Sequence, residues 1–136
     1  MLTHPFGVDE ARHGNNHSTA YDVQVVTYAF FVGQPDLARR ILEGVGERRI
    51  ADQIEPDGQQ PRELARTMAL GYASGNMALL LELAEIGRQW GIDLINYEST
   101  DGRSLRRGSG RGHCRRLILS LTTAHLNVCG LPRISF

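Results

Sequence analysis

The first hydrophobic run of the chain lies between two polar stretches that contain glycine. Residues 1–17 are polar and are broken by proline and glycine, so we expect a loop that allows one helical turn around Val8–Arg12. An apolar run follows Thr19 and stops at Gly33. Its β-branched residues also allow a strand, but its length and the capping-box spacing of Thr19 and Asp22 favour a buried helix.

Two further helices are predicted downstream. Apolar residues recur every fourth position after Pro35, which is typical of an amphipathic helix that ends between residues 50 and 54. A Pro-Asp-Gly turn follows, and the next apolar stripe predicts the longest helix, from Arg62 to Trp90, with Gly91 as its cap. Because short turns join these helices, the sequence predicts an all-α fold of antiparallel helical hairpins.

Charge divides the chain into two unequal parts. All 15 acidic residues lie at or before Asp101, while 7 of the 15 arginines follow it, and lysine is absent. From Gly108 onward the composition turns rich in glycine and arginine. We therefore expect residues 1–107 to form a partial domain and residues 108–136 to be an atypical basic tail, either disordered or translated out of frame. A genuine basic tail that binds nucleic acid or a membrane surface is the alternative.

Cysteine and histidine spacing gives no indication of a metal site. Both cysteines, Cys114 and Cys129, lie in the tail and form neither a CxxC pair nor a disulfide framework. The five histidines show no zinc-ligand spacing. We predict no metal and no cofactor. No apolar stretch approaches the length of about 20 residues that spans a membrane, and no signal peptide is visible.

Two polar clusters stand out from this helical background. Asn15, Asn16 and His17 precede the first long helix, although a polar loop with an asparagine cap would explain them equally well. On the third helix, Tyr72 and Asn76 share a face because they are four residues apart. Arg66 lies about 120° away on an ideal helix, so it joins them only if the helix starts late or bends. A surface arginine and a core tyrosine would also fit.

These clusters belong to two longer strings that resemble a known family. Residues 14–24, GNNHSTAYDVQ, and residues 54–67, IEPDGQQPRELART, resemble two signatures of the alginate lyase family in the family's order. The second string is followed by a tyrosine six residues after its last arginine and by an asparagine four residues later. The resemblance covers residues 6–107. It implies a fragment of an α/α toroid and β-elimination in a uronic-acid polysaccharide such as alginate.

The resemblance also implies roles for the polar residues. Elimination removes a weakly acidic proton from C5 and builds charge on the adjacent carboxylate, which fixed donors must neutralise. Asn16, with Arg66 or His17, would supply these donors. Tyr72 would protonate the departing O4 and would also act as the base when both groups lie on one face. A cation such as Arg66 would favour the ionised phenol.

Three more assignments follow from the family. His17 would be the base for the opposite C5 configuration, and the positive end of the helix that follows it would keep the imidazole neutral. Asn15 and Asn76 would bind substrate. The predicted partner is the polysaccharide, with no nucleic acid or membrane expected, and the expected location is the periplasm or outside the cell.

The match departs from the family at several points. Gly71 stands where a histidine is usual before the tyrosine, and Ala20 replaces an aromatic residue. The family's catalytic domain is also considerably longer, so we expect a truncated enzyme with exposed apolar surface and little activity of its own. A non-catalytic helical interaction module and an inactive gene remnant are the alternatives. The ordered quartet Asn16, His17, Arg66 and Tyr72 favours the lyase over both.

Overall fold

The computed structural model describes residues 2–109, and within this range the chain forms helices and turns without a β-strand. The helices, in chain order, are α1 (Pro5–Arg12), α2 (Asn16–Phe31), α3 (Pro35–Val45), α4 (Pro61–Leu64), α5 (Ala69–Gln89) and α6 (Leu105–Gly108). A π-helical turn, Gly46–Ala51, continues α3 without a break. Residues 110–136, most of the predicted tail, lie outside the described residues.

Two predicted elements differ from the observed ones. The polar segment before α2 contains α1, a helix of 8 residues rather than one turn, which starts with Pro5 in its first turn. The predicted helix from Arg62 to Trp90 is divided into α4 and α5, with an irregular connection at residues 65–68. Gly71 and Gly75 lie inside α5 and not in the connection, so the break precedes the two residues with low helix propensity.

The hydrophobic core lies between α2, α3 and α5, and the segment after α5 closes one end of it. Side chains without exposed surface fill its centre, namely Val26, Leu42, Val45, Ile50, Ile54, Leu80 and Leu83, and Leu94 and Leu105 pack against them. α6 also packs against this core, since a Cβ added at Gly108 would meet the side chains of Met77 and Ile54.

Apolar side chains also remain on the surface. Phe31 is 88% exposed and Leu70 is 79% exposed, and Phe6 and Met68 are similarly accessible. The exposed apolar surface that we expected from so few helices is therefore present. None of the helices in residues 2–109 has the length and apolar character to cross a lipid bilayer.

A buried ion pair fastens the helices that lead to the polar clusters. Arg49, on the π-helical turn, donates from Nε to Asp22 Oδ2 at 2.8 Å and from Nη2 to Asp22 Oδ1 at 3.1 Å. The same Nη2 donates to the Ala11 carbonyl at 3.0 Å, at the end of α1. Both charged residues are buried. One guanidinium thus joins α1, α2 and the turn after α3.

Replacing Asp22 tests how much the fold depends on this pair. Asp22→Asn keeps the side-chain volume but leaves the buried Arg49 charge uncompensated, so we expect a loss of about 3 kcal/mol in the free energy of unfolding. Urea denaturation followed by circular dichroism measures it. The matched control is Glu43→Gln, which breaks the half-exposed pair between Arg39 and Glu43 and should cost less than about 1 kcal/mol. Equal losses in the two variants would contradict a structural role for Asp22.

Candidate active site

The first polar cluster lies at the N-terminus of α2. Asn15 caps this helix, because its Oδ1 accepts the backbone N–H of His17 at 3.0 Å. Ser18 Oγ donates to the Asn15 carbonyl at 3.0 Å and closes the same turn. α2 therefore begins at Asn16, before the cap predicted at Thr19, and its first turn carries both Asn16 and His17. The side-chain oxygen of Asn15 is therefore already hydrogen-bonded to the backbone of this turn.

A buried carboxylate connects this turn to the second motif. Glu63, at the end of α4, accepts the backbone N–H of Asn16 through Oε1 and a hydrogen bond from Arg66 Nη1 through Oε2, the latter at 3.1 Å. Its side chain is almost fully inaccessible to solvent. The sequence analysis did not identify Glu63. The available signal was a lone acid three residues before Arg66, a spacing that brings two helical side chains together.

Arg66 brings the two clusters into direct contact. Its Nη1 donates to Asn16 Oδ1 at 2.7 Å, and its guanidinium carbon lies 3.5 Å from the centre of the Tyr72 ring. The late start of α5 permits this approach, as the sequence analysis required. A guanidinium can only donate, so Asn16 must turn its oxygen to Arg66. The amide nitrogen of Asn16 then remains for another acceptor, and it makes no hydrogen bond within residues 2–109.

The side chain of His17 points away from this contact. Its Nδ1 lies 3.1 Å from Glu10 Oε2 on α1, and its ring centroid lies 5.6 Å from that of His13. Successive residues on a helix project about 100° apart, which separates His17 from Asn16. Within the described residues the His17 ring makes no hydrogen bond or ring contact with Arg66 or Tyr72. The structure therefore brings together three members of the predicted catalytic quartet and sets the fourth beside α1.

Asn76 is placed in the interior instead of on the surface. It has no exposed surface, and its Nδ2 donates to Gln53 Oε1 and to Gln60 Oε1, both at 2.8 Å. Gln60 in turn donates to the Ala73 carbonyl at 3.1 Å. The prediction that Asn76 contacts substrate conflicts with this burial, because its side chain is hydrogen-bonded inside the protein. Asn76 instead ties the loop before α4 to α5, and its Oδ1 has no hydrogen-bond partner in the described part of the chain.

The loop before α2 is held by a second arginine that the sequence analysis did not identify. Arg62 Nη1 donates to the Gly14 carbonyl at 2.9 Å and to Asp52 Oδ2 at 2.6 Å. A Cβ at Gly14 would overlap this guanidinium, so a larger residue there would displace the Arg62 side chain. The hydrogen bond with Asp52 raises the pKa of Arg62 above its usual value. A permanently charged arginine thus anchors the residue that precedes the Asn-Asn-His cluster.

The chain is similar to known proteins in both sequence and structure. The sequence model described as alginate lyase matches residues 1–110. The chain belongs to the alginate lyase family. A crystal structure of an alginate lyase from Bacteroides ovatus is similar to it, with a TM-score of 0.75 and 39% sequence identity over 98% of this chain and 32% of that chain. This alginate lyase family member therefore spans about a third of the length of that protein. No match was found among curated protein sequences.

These findings confirm two predictions. The resemblance to the alginate lyase family is correct, and so is the all-α fold class, which is consistent with the predicted part of an α/α toroid. The family match ends two residues after α6. Among residues 2–109, no group of three or more histidine, cysteine, aspartate or glutamate side chains is arranged to hold a metal ion.

Glu63→Gln tests whether the buried carboxylate assembles the site. The variant keeps the shape of the side chain but turns one acceptor into a donor that faces an N–H group. We expect a loss of about 2 kcal/mol in the free energy of unfolding, measured by urea denaturation, because a buried hydrogen bond to a charged group is removed. Glu85→Gln, which disturbs the exposed pair between Glu85 and Arg88, should change it by less than about 1 kcal/mol. A Glu63→Gln chain as stable as the wild type would rule out this role.

Proposed function

We propose that this chain carries part of the catalytic site of a polysaccharide lyase that cleaves uronic-acid polymers of the alginate type by β-elimination. The observation that carries the proposal is the contact of Arg66 with both Asn16 and Tyr72. It joins an amide, a cation and a phenol at one place. Membership of the alginate lyase family supports the same reaction class.

The donors that this contact leaves available suit a uronate carboxylate. Removal of the C5 proton places a second negative charge beside the C5 carboxylate, and preorganised donors lower the energy of that dianion. Arg66 uses Nη1 for Asn16 and Glu63, while its Nη2 and Nε make no hydrogen bond to a residue in the range 2–109. These groups and the Asn16 amide nitrogen would bind the carboxylate. Glu63 acts as a positioning residue, because it holds both donors without facing the substrate.

Tyr72 is the proposed acid. Its phenol would protonate O4 as the glycosidic bond breaks, and it would also take the C5 proton when that proton lies on the same face of the sugar. The Arg66 guanidinium over the ring would stabilise the negative charge that the phenol gains when it gives up its proton. When Tyr72 performs both steps, its ionised phenol first takes the C5 proton and then gives that proton to O4, which restores the ionised phenol. When His17 takes the C5 proton, Tyr72 gives its own proton to O4 and is reprotonated from solvent, while His17 returns its proton to solvent.

His17 is the proposed base for the opposite C5 configuration. It leaves the first turn of α2 in a different direction from Asn16, so the two side chains would approach the sugar from separate sides. Asn15 orders this turn as the helix cap, and a direct contact of Asn15 with substrate remains part of the proposal. Since an intact polyuronate is too large and charged to diffuse through a membrane, we also propose that the enzyme works in the periplasm or outside the cell.

Tyr72→Phe tests the chemistry. Elimination produces a C4–C5 double bond conjugated with the carboxylate, which absorbs ultraviolet light, so polymannuronate and polyguluronate are incubated with the chain and absorbance is followed. We expect slow product formation that falls about 100-fold or more in Tyr72→Phe, because an acid–base group contributes on that scale. Tyr28→Phe is the control, since Tyr28 is an exposed tyrosine on α2. Product formed equally by wild type and Tyr72→Phe would contradict the mechanism.

Arg66→Lys tests substrate recognition without requiring turnover. Lysine lacks the planar guanidinium that lies over the Tyr72 ring while it donates a hydrogen bond to Asn16 Oδ1. We expect the dissociation constant for a saturated oligouronate, measured by NMR titration, to rise roughly tenfold. The shifts should be concentrated at Asn16 and Arg66. Arg39→Lys, next to Trp90, is the matched control and should bind like the wild type. Binding that is unaffected by Arg66→Lys would contradict the assigned carboxylate site.

A further inference from the structure

The imidazole of His17 lies against a carboxylate that has no role in the mechanism proposed above. Glu10 Oε2 on α1 is 3.1 Å from His17 Nδ1. We propose that Glu10 is a positioning residue, which accepts a hydrogen bond from Nδ1–H and holds His17 in the tautomer whose Nε2 is free to take a proton. The inference rests on the proposed role of His17 as a base.

Carboxylate chemistry decides which ring nitrogen carries the proton. An ionised glutamate can only accept hydrogen bonds, so the imidazole nitrogen that faces it must be the one with hydrogen. In a neutral imidazole the other nitrogen is then an unprotonated acceptor. His17 Nε2 makes no hydrogen bond within residues 2–109, so its lone pair is available. A base needs this state, whereas the alternative tautomer would present an N–H to the sugar.

α1 holds Glu10 in place through the buried ion pair described above. Arg49 donates to the carbonyl of Ala11, the residue after Glu10, while it is bound to Asp22 on α2. The end of α1 is thus fixed against the helix that carries His17. Although the side chains of Glu10 and His17 are 43% and 46% exposed, the backbone next to each is hydrogen-bonded to a buried side chain, Ala11 to Arg49 and Asn16 to Glu63. The carboxylate is therefore presented by an anchored helix and not by a free loop.

The neighbouring histidine provides an internal comparison. His13, the C-cap residue of α1, faces Asp9 through Nε2 at 3.6 Å, which is longer than the Glu10 contact and involves the other ring nitrogen. Its ring is 5.6 Å from that of His17. Removing Asp9 therefore takes one carboxylate from the same helix without removing the one at His17 Nδ1. This makes Asp9→Ala the matched control for Glu10→Ala.

The decisive measurement is the tautomer of His17. It is read from long-range proton–nitrogen NMR correlations. The pH is chosen so that the nitrogen chemical shifts of the His17 ring show a neutral imidazole. We expect the Nδ1–H form to predominate in the wild type and in Asp9→Ala. In Glu10→Ala it should fall to the minor form, and Glu10→Gln should restore part of it through the amide oxygen. A wild-type ring protonated on Nε2, or the same tautomer in Glu10→Ala as in the wild type, would overturn the inference.

An activity measurement separates this inference from the proposed function. For the polymer whose elimination uses His17, Glu10→Ala should lower kcat about tenfold or more and leave KM unchanged, because a fraction of the base is misplaced. For the polymer that uses Tyr72 as base, the rate should not change. A tautomer controlled by Glu10 in a chain that forms no unsaturated product would support the positioning role and contradict the proposed function. Formation of unsaturated product by a chain whose His17 tautomer does not depend on Glu10 would support the proposed function and contradict the positioning role of Glu10.

Discussion

The Glu63 carboxylate is the contact on which the arrangement of the site depends. It is buried and receives hydrogen bonds from the backbone of Asn16 and from the side chain of Arg66, which lie fifty residues apart in sequence. A buried carboxylate is costly unless its oxygens are paired, so the cost of leaving it unpaired disfavours any arrangement that separates the two motifs. Arg66 also lies over the Tyr72 ring, so the position of the guanidinium relative to the phenol depends on the same carboxylate. One charge inside the protein therefore determines where an amide, a guanidinium and a phenol meet.

The second buried pair gives the N-terminus of α2 its other support. Arg49 binds Asp22 with two hydrogen bonds and also holds the end of α1. It is located on a π-helical turn, a conformation that often occurs at functional sites because it redirects side chains. The first turn of α2 is thus held on one side by Glu63 and on the other by α1. This two-sided support explains how Asn16 and His17 keep separate orientations on adjacent positions.

A network of hydrogen bonds between uncharged side chains links the two helices that carry the site, α2 and α5. Asn76 donates to both Gln53 and Gln60, and Gln53 donates to Ser18 Oγ on α2 at 3.3 Å. Hydrogen bonds inside a protein are directional and are costly to leave unmade, so this network specifies how α2 and α5 face each other more narrowly than apolar packing would. The position four residues after Tyr72 contributes to the site by fixing the helix that carries it.

The sequence by itself determined the helical class and the family, and it indicated candidate polar residues, because apolar periodicity and ordered motifs are local properties of the chain. It also indicated that Arg66 would reach Tyr72 only if the third helix started late or bent. Only the tertiary structure decided that α5 does start late, that Glu63 joins the motifs, that Glu10 faces His17 and that Asn76 is buried. These outcomes depend on pairing between residues far apart along the chain, and on which side of each helix the core covers. Local spacing contains neither kind of information, because burial and long-range pairing exist only once the helices have packed.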